Sequence, residues 1–359
     1  MRLLAVLVIL VLLACSASQA MYLVRVSDLT RAPIPDNPIK VCGRVTSEAP
    51  LMITDGKGEL EIAGMSAKLG DFLVLVGDYS AGVLTISGEC YAYVGSSRTE
   101  MVYVPAGSFD MGNNGSEGYS YSNELPQHSV NLSGYFIGRH EVTRGEYRKF
   151  IDAGGYTNPA YWSALGLNWK DATGATEPYS WAGDQDWGTP PGPFTQSEDA
   201  PVVGVTFYEA EAYCNWAGLR LPTEAQWEKA ARWNASASHA NVYPWGDTWE
   251  PDKCNSFADI LYPGYQTAPV GSYQAGLSPY GCRDMAGNVL EWVSDWFAGS
   301  YYSATPEGGW VDPQGPDSGT YRLMRGGSWN YTDNQCRSSY RHTTYPYLRW
   351  RYFGFRAAR

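Results

Sequence analysis

The stretch "PVVGVTFYEAEAYCNWAGLRLPTEAQWEKAAR", residues 201–232, carries the clearest secondary-structure signals in the chain. Thr206 is followed three residues later by Glu209, which is the capping-box pattern of a helix start, and Gly218 is a typical helix stop. The segment "PTEAQWEKAAR" has Glu and Gln in its first turn and Arg232 at its end, which predicts a second helix. A third helix is predicted in "TRGEYRKFIDAGG", residues 143–155.

The rest of residues 101–359 is rich in Gly, Pro, Asn, Asp and Trp and has few periodic runs. The 359 residues suffice for two domains, and 44% hydrophobic with 14% aromatic residues indicate a globular protein. We therefore expect an α+β domain with few helices and many irregular loops. The formal net charge of −11 argues against a general phosphate-binding role, so nucleic acid is not an expected partner.

The C-terminal stretch "RGGSWNYTDNQCRSSYRHTTYPYLRWRYFGFRAAR", residues 325–359, departs from this acidic composition. It holds seven Arg against one acid, Asp333, and seven Tyr or Trp rings. Tyr, Trp and Arg are enriched at binding hot spots, and Tyr, Ser and Asn are common in adaptable binding loops. The segment "HTTYPYLRWRYF" has no clean period and mixes charges with rings, which favours a surface position. The alternative is that these rings simply pack the domain.

The N-terminus, "MRLLAVLVILVLLACSASQA", places one Arg before an apolar run that is too short to span a bilayer, as in a secretory signal peptide. Its "LLAC" resembles the bacterial lipobox. Residues 1–20 are therefore predicted to be a lipoprotein signal cleaved before Cys15, whose thiol would carry the lipid and anchor the protein in a membrane. The expected location is an outer membrane or cell surface. Ordinary cleavage after Ala20, giving a periplasmic or secreted protein, is the alternative.

Residues 21–96 contain short apolar runs separated by Gly and Asp. We count five predicted strands, which fit a small all-β closed barrel most like an OB-fold. In this segment "LMITDGKGELEIAG" is predicted to form a hairpin, and "DFLVLVGDYSAGVLTISGE" to supply two more strands. The segment lacks interleaved aromatic and basic residues, so a role in stacking nucleic-acid bases is not expected.

Eight motifs follow one another in the second part of the chain: "MVYVPAGSFDMG", "HSVNLSGYFIGRHEVTRGEY", the stretch quoted first, "YPWGD", "TAPVGSY", "YGCRDMAGNVLEWVSDWF", "RGGSW" and "FGFRAA". In order and spacing they match formylglycine-generating, or sulfatase-modifying factor, domains, and the chain resembles that family over about residues 100–359. The resemblance implies a loop-rich α+β fold that is a variant of the C-type lectin architecture.

The family's enzyme oxidises a sulfatase cysteine to formylglycine with molecular oxygen and a copper ion held by two thiolates. The resemblance places Ser328 at the family's serine, but Tyr331 and Cys336 at the two copper-ligand positions. Thiolates select Cu(I) because both are soft, and a phenol is not a substitute. Copper is therefore not expected, and an oxidase that uses Ser328 and Cys336 is the alternative function. The three-histidine iron site of sulfoxide-synthase relatives is not expected either.

The family's second calcium site maps onto Asp284, the carbonyls of Gly287 and Val289, and the Glu291 side chain. Hard cations prefer such oxygen ligands, so a structural Ca²⁺ is expected there. The first calcium site maps onto Asn255 and the carbonyl after it, but a tyrosine stands where that site needs an acid.

Export would place the cysteines in an oxidising compartment, where disulfides form. Cys42 and Cys90 are a reasonable local pair in the N-terminal segment. The family's two disulfides lack their partners here, and Cys254 with Cys282 is a replacement suggested by chain order alone.

In the family's fold, the C-terminal stretch lies over the surface that receives the substrate peptide. The resemblance thus assigns a ligand-binding surface to Trp329, Tyr331, Asp333, Asn334, Tyr345, Tyr347, Trp350, Arg351 and Tyr352. The stretch also resembles the C-terminal variable region of proteins diversified by retroelements. We expect a binding protein for a protein or surface ligand, in which Arg337, Arg341 and Arg356 are structural and pair with acids.

Overall fold

The computed structural model describes the backbone of short strands within residues 9–100 and, in full, residues 101–179, 181, 197–257 and 266–359. The chain divides into two compact units, Met1–Tyr103 and Val104–Arg359. The cysteine pair predicted in the first unit lies outside the described side chains. No helix in the described part of the chain is long and apolar enough to cross a membrane.

The described part of the first unit consists of short strands. They are β1 (Ile9–Leu13), β2 (Met21–Arg25), β3 (Pro38–Cys42), β4 (Leu51–Ile53), β5 (Glu59–Ile62), β6 (Leu73–Val76), β7 (Tyr79–Val83), β8 (Tyr91–Val94) and β9 (Thr99–Val104). These strands pair antiparallel in the orders β1–β2–β5, β4–β3–β6–β7 and β8–β9.

Among the described residues between 21 and 94 there are seven strands, where the sequence predicted five. The predicted strands of "DFLVLVGDYSAGVLTISGE" are confirmed as the β6–β7 hairpin. The predicted hairpin over residues 51–64 is wrong, because β4 pairs with β3 and β5 pairs with β2. Residues 54–58 separate these two strands, and a connection of that length does not fix their pairing as a two-residue turn does.

Four helices lie in the described part of the second unit: α1 (Arg144–Asp152), α2 (Ala164–Thr173), α3 (Phe207–Ala217) and α4 (Glu224–Arg232). The three predicted helices are confirmed as α1, α3 and α4, each with a capping box at its start. Helix α2 was not predicted, although Ser163 caps its first turn and Gly174 ends it in the left-handed conformation. Short 3₁₀ turns lie at Ser122–Glu124, Pro159–Tyr161, Pro251–Lys253, Tyr302–Ala304 and Asp333–Gln335.

The strands of the second unit are short. They are β10 (Gly107–Met111), β11 (His128–Leu132), β12 (Tyr135–Gly138), β13 (Trp233–Asn234), β14 (His239–Ala240), β15 (Leu290–Trp296), β16 (Trp310–Val311), β17 (Arg322–Arg325), β18 (His342–Thr344) and β19 (Phe353–Phe355). The four-stranded sheet β18–β17–β15–β19 is its centre, with β15 parallel to β19 and antiparallel to β17. Smaller sheets are β10–β11–β16 and β13–β14.

The core lies where α1, α3 and α4 meet the central sheet. Every residue of α4 is buried, and its Trp227 donates from Nε1 to Glu291 of β15 at 2.7 Å. On the other side, Tyr147 of α1 stacks on Tyr213 of α3 at 5.4 Å between ring centroids, and both rings touch Phe355 of β19. Large rings thus fill space that short, irregular segments leave open, which agrees with the predicted loop-rich α+β class.

The predicted Cys254–Cys282 disulfide is wrong, because Cys282 is a free buried thiol. Cys282 lies beside Ser278, whose hydroxyl accepts from the Cys282 amide at 3.1 Å. Cys254 packs in a different buried cluster, with Ala286 and Cys336. Chain order places the two cysteines on neighbouring segments but does not orient their side chains toward each other.

Candidate ligand-binding surface

The surface begins at the Gly326-Gly327 turn that follows β17. Both glycines have positive φ, at 94° and 71°. A Cβ on Gly327 would lie 2.6 Å from the Gln335 carbonyl oxygen, so this turn requires glycine. The buried Ser328 follows, and its carbonyl accepts from the Tyr331 amide at 2.9 Å. The turn therefore sets the direction in which Tyr331 leaves the core.

The first group of rings, here called the Tyr331 group, consists of Tyr331, Tyr340, His342, Trp350 and Tyr352. Its centroid distances are 6.2 Å for Tyr331–Tyr340, 6.2 Å for Tyr331–His342, 6.0 Å for Tyr331–Tyr352 and 6.4 Å for the stacked Trp350–Tyr352 pair. All five residues are partly exposed. Rings in mutual contact lose little conformational freedom when a ligand covers them, which suits a binding surface.

Burial fixes the charge of two members of the Tyr331 group. It raises the pKa of the Tyr331 phenol well above its ordinary value and lowers the pKa of His342 to about 4. Tyr331 Oη lies 3.4 Å from His342 Nδ1. Both side chains are therefore neutral at physiological pH, and the centre of this group presents an uncharged face.

The second group, here called the tyrosine trio, consists of Tyr321, Tyr345 and Tyr347. Their exposed fractions are 37%, 37% and 49%. Tyr345 stacks on Tyr347 at 5.2 Å and contacts Tyr321 at 4.7 Å between centroids. Exposed contiguous rings of this kind are uncommon on a surface without a binding role.

The remaining predicted surface residues have three different environments. Trp329 is only 2% exposed, so its assignment as a direct ligand contact is wrong. Its ring packs edge-to-face against Tyr352, with 6.1 Å between the ring centroids. The Arg351 guanidinium lies 5.3 Å from the Trp329 ring centroid. Asp333 and Asn334 belong to the 3₁₀ turn after Tyr331, and both are partly exposed.

Three rings that sequence reasoning did not assign to the site join it from another segment: Tyr243, Trp245 and Trp249. Tyr243 and Trp245 stack at 5.4 Å, and Trp249 contacts both. Trp245, Trp249 and Tyr331 all pack on the buried cluster of Cys254, Ala286 and Cys336. The "YPWGD" motif contains the first two, so the signal was present, but only the fold brings them beside Tyr331.

The positions that match the family's copper ligands lie within this surface. Cys336 is fully buried, and its Sγ lies 3.9 Å from the Tyr331 carbonyl oxygen. The phenol of Tyr331 stays protonated at neutral pH and is a hard oxygen donor, so it does not complete a two-thiolate Cu(I) site. The residues at these two positions therefore do not fit the family's copper ion. Cys254 lies in the same buried cluster.

Four arginines of residues 325–359 point into the interior and pair with glutamates from other segments; we call this set the arginine frame. Arg325 pairs with Glu228 and Glu224, Arg337 with Glu124 and Glu117, Arg341 with Glu224, and Arg356 with Glu291. These arginines are at most 3% exposed. The predicted structural roles of Arg337, Arg341 and Arg356 are confirmed, and most of the local positive charge is neutralised inside the domain.

The geometry of the arginine frame is close to ideal. Arg337 donates to both oxygens of Glu124 at 2.7 Å, and Arg356 to both oxygens of Glu291 at 2.6 Å. Burial lowers the pKa of Arg356, but the Glu291 carboxylate outweighs this effect, and the net pKa is raised. Buried charges need such bidentate contacts, because a buried charge without a partner loses its hydration and gains no interaction in return.

The predicted calcium ligands lie beside this frame. Asp284, at a φ of 55°, begins the turn that leads through Gly287 and Val289 into β15, and its carboxylate accepts from the Gly271 amide at 2.6 Å. Both oxygens of Glu291 are already engaged by Arg356, and one of them also by Trp227. Asn255 packs against Asn288, with 3.1 Å between Nδ2 and Oδ1.

A further acid, Glu141, lies near this turn and is fully buried. Its Oε1 accepts from Asn288 at 3.0 Å, and its Oε2 has no hydrogen-bond partner among the described residues. Burial, followed by the charges of Asp284 and Glu291, raises the pKa of Glu141 well above its usual value. Glu141 therefore places a buried carboxyl oxygen without a hydrogen-bond partner among the described residues close to Asp284 and Glu291.

The described residues hold no group of three or more His, Cys, Asp or Glu side chains arranged to bind a metal ion. A calcium site here would rely on the carbonyls of Gly287 and Val289 together with Asp284, because Arg356 already neutralises Glu291.

Comparison with known proteins gives the family. The model of the sulfatase-modifying factor enzyme 1-like domain matches residues 92–359. The chain belongs to this family.

Two relatives of this family differ in the share of their length that is matched. The chain is 38% identical to hercynine oxygenase of Mycolicibacterium smegmatis over 273 residues, which are 72% of this chain and 60% of that protein. The chain therefore spans only about three fifths of that relative. It is 34% identical to formylglycine-generating enzyme of Thermomonospora curvata over 261 residues, 66% of this chain and 84% of that enzyme.

Among solved structures, Treponema denticola variable protein 1 shares the fold. The TM-score is 0.54 at 25% sequence identity, over 75% of this chain and 98% of that protein. A variable protein and a formylglycine-generating enzyme thus both resemble the same sulfatase-modifying factor domain, so the family fixes the fold but leaves the activity to the residues of the site.

Removal of one arginine from the frame is predicted to destabilise the domain strongly. Arg337→Met leaves the fully buried Glu124 without its positively charged partner, and we expect a loss of about 3–5 kcal/mol in the free energy of unfolding. Arg148→Met is the control, because the Arg148–Glu198 pair is 43% and 52% exposed and we expect less than about 1 kcal/mol. Urea denaturation followed by near-ultraviolet circular dichroism measures both. Equal small losses for the two variants would show that the frame is dispensable.

Proposed function

We propose that this sulfatase-modifying factor domain binds a protein or other surface ligand through the Tyr331 group and the tyrosine trio. The observation that carries the proposal is the clustering of partly exposed rings on a rigid base. Trp350 and Tyr352 stack at 6.4 Å and Tyr345 and Tyr347 at 5.2 Å, while the arginine frame holds the segments below them. Rigid aromatic side chains of this kind form the anchors of binding surfaces.

The charge distribution favours an uncharged contact region on the partner. The frame neutralises four arginines, Tyr331 and His342 are neutral at physiological pH, and the whole chain carries a net charge of −11. A nucleic acid would need an excess of exposed basic side chains, so the proposed partner is a protein or a cell-surface molecule. The likeness to a variable protein supports the same role.

The second candidate is a formylglycine-generating oxidase that acts on a sulfatase cysteine. It is favoured by the 34% identity that covers 84% of a formylglycine-generating enzyme. In that case Cys336 and Ser328 are the residues of interest. The candidate lacks a thiolate at Tyr331, and Ser328 is buried with its hydroxyl accepting from the Asn330 amide at 3.3 Å.

We also propose a fold for residues 21–96, a fold variant for the second unit, and a cellular location for the protein. Residues 21–96 form an OB-like barrel that acts as a spacer, and the second unit has the C-type-lectin-like variant of the α+β fold. Export and lipidation at Cys15 place the protein at an outer membrane or cell surface. Cleavage before Cys15 would remove β1, so β2 and β5 would remain of that sheet.

Ligand binding is predicted to depend on the exposed rings. A photo-crosslinking amino acid at position 347 of the full chain captures the partner from cells or host extract, and the purified partner is then titrated by biolayer interferometry. Tyr347→Ala and Trp350→Ala should each weaken binding by about ten-fold or more, because both remove anchor rings.

Val311→Ala serves as the matched control for this titration, since Val311 is 70% exposed and apolar but lies on β16. It should leave the dissociation constant unchanged. Equal affinities for the wild-type chain and both ring variants would disprove a binding role of this surface.

Lipidation is predicted to require Cys15. In cells labelled with an alkynyl fatty acid, the wild-type chain should carry the label and partition into the detergent phase of Triton X-114. Cys15→Ala should lose both properties. An unlabelled wild-type chain whose mature N-terminus is Met21 would instead establish ordinary signal cleavage.

Calcium is predicted to stabilise the second unit at the Asp284 turn. After treatment with EGTA, excess CaCl₂ at pH 7.5 should raise the melting temperature by roughly 5–10 °C. Burial raises the pKa of both Asp284 and Glu141, so protonation should reduce the gain at pH 5. Asp284→Ala should abolish the gain and the exposed Asp317→Ala should keep it. An unchanged gain in Asp284→Ala, or an equal gain with MgCl₂, would contradict the assignment.

A further inference from the structure

A polar cavity of about 490 Å³ lies apart from the residues proposed to bind the ligand. Its walls are β10 with the loop after it on one side and β14 with the loop after it on the other. No residue of the Tyr331 group or the tyrosine trio lines it. The lining residues include carboxylates, amides and hydroxyls but no lysine and no aromatic ring except the imidazole of His239.

One wall of the cavity contains a buried guanidinium with an unsatisfied donor. Arg232, the last residue of α4, is 1% exposed. Its Nη2 donates to Glu117 at 2.5 Å and to the Ala240 carbonyl at 3.2 Å. Its Nε has no hydrogen-bond partner among the described residues. Buried polar atoms are nearly always satisfied, so an unpartnered Nε beside a cavity indicates a missing partner or solvent.

The rest of the lining offers mainly hydrogen-bond acceptors. Asp110 is exposed, and no described side chain pairs with its carboxylate. The Asp247 carboxylate accepts from the Val242 amide at 3.0 Å and lies 2.9 Å from His239 Nε2. Gln127 donates from Nε2 to the Gly112 carbonyl at 3.5 Å, which leaves its carbonyl oxygen for other donors.

These properties exclude three classes of ligand. An apolar molecule would leave the carboxylates and the guanidinium desolvated without partners. An anion would be repelled by Asp110 and Asp247, since Glu117 already neutralises Arg232. An organic cation would pair with the acids but would leave the Arg232 donor unsatisfied.

We propose that this cavity binds a neutral polyhydroxylated ligand, that is, a saccharide unit. Each sugar hydroxyl both donates and accepts, so one ligand serves the acceptors Asp110, Asp247 and Gln127 and, through a bridging water, the donor of Arg232. The volume lies within the range of small-molecule sites and accommodates a mono- or disaccharide. The site is separate from the proposed function, and either can fail without the other.

The test is a glycan array, containing neutral, sialylated, sulfated and amino sugars, probed with the fluorescent full chain. The wild-type chain should bind at least one neutral glycan. The corresponding free saccharide should compete, which separates a sugar-binding site from one that needs the attached macromolecule. Asp110→Asn should reduce the affinity for the free saccharide at least ten-fold in calorimetry, whereas the exposed Asp171→Asn on α2, with the same change of charge, should not.

Three results would overturn the proposal. The first is the absence of binding to any neutral glycan, and the second is binding restricted to acidic or amino sugars. The third is neutral-glycan binding that survives Asp110→Asn and Asp247→Asn but is lost in Trp350→Ala, because it would place the sugar on the C-terminal surface. No described side chain pairs with Asp110, so Asp110→Asn should fold normally. A loss of saccharide affinity in this variant therefore reports on the cavity and not on unfolding.

Discussion

The bidentate pairing of buried arginines with buried glutamates is the constraint on which the rest of the second unit depends. The C-terminal 35 residues contain only two short strands after β17, so hydrogen bonds between strands fix only part of their path. Arg337 and Arg356 instead bind Glu124 and Glu291, which lie more than 60 positions away in sequence. An unpaired charge in this interior would cost several kcal/mol, so few alternative paths of the chain are acceptable.

This anchoring explains how an irregular segment presents an ordered surface. Arg325 also donates to the carbonyls of Ser338 and Ser339 at 2.7 and 3.1 Å, which ties the segment after Tyr331 to the central sheet. The rings on the outside then pack on one another instead of entering the core. A scaffold of this kind permits changes of the exposed residues without changes of the fold, and relatives of different activity within one family agree with this property.

The sequence predicted those features whose causes are local. Helices α1, α3 and α4 have capping boxes within four residues, and all three were found, whereas α2 has a Ser163 cap but no capping box and was missed. The structural role of Arg337 could be predicted, but its partner Glu124 could not, because 213 positions separate them. The same limit explains the wrong Cys254–Cys282 pair and the missed Trp245 and Trp249, whose places depend on how distant loops meet.

The two proposed functions differ in whether position 331 can supply a thiolate to copper, and the chain has a tyrosine there. The stoichiometry of copper binding tests this difference most directly. The fully reduced chain is titrated with Cu(I) in competition with a colorimetric chelator, beside a Cys336→Ser variant. A binding protein with a phenol at position 331 is predicted to take up no stoichiometric copper in either form. One tightly bound Cu(I) per wild-type chain that is lost in Cys336→Ser would contradict the account, and would assign the buried cluster below Tyr331 to oxidase chemistry.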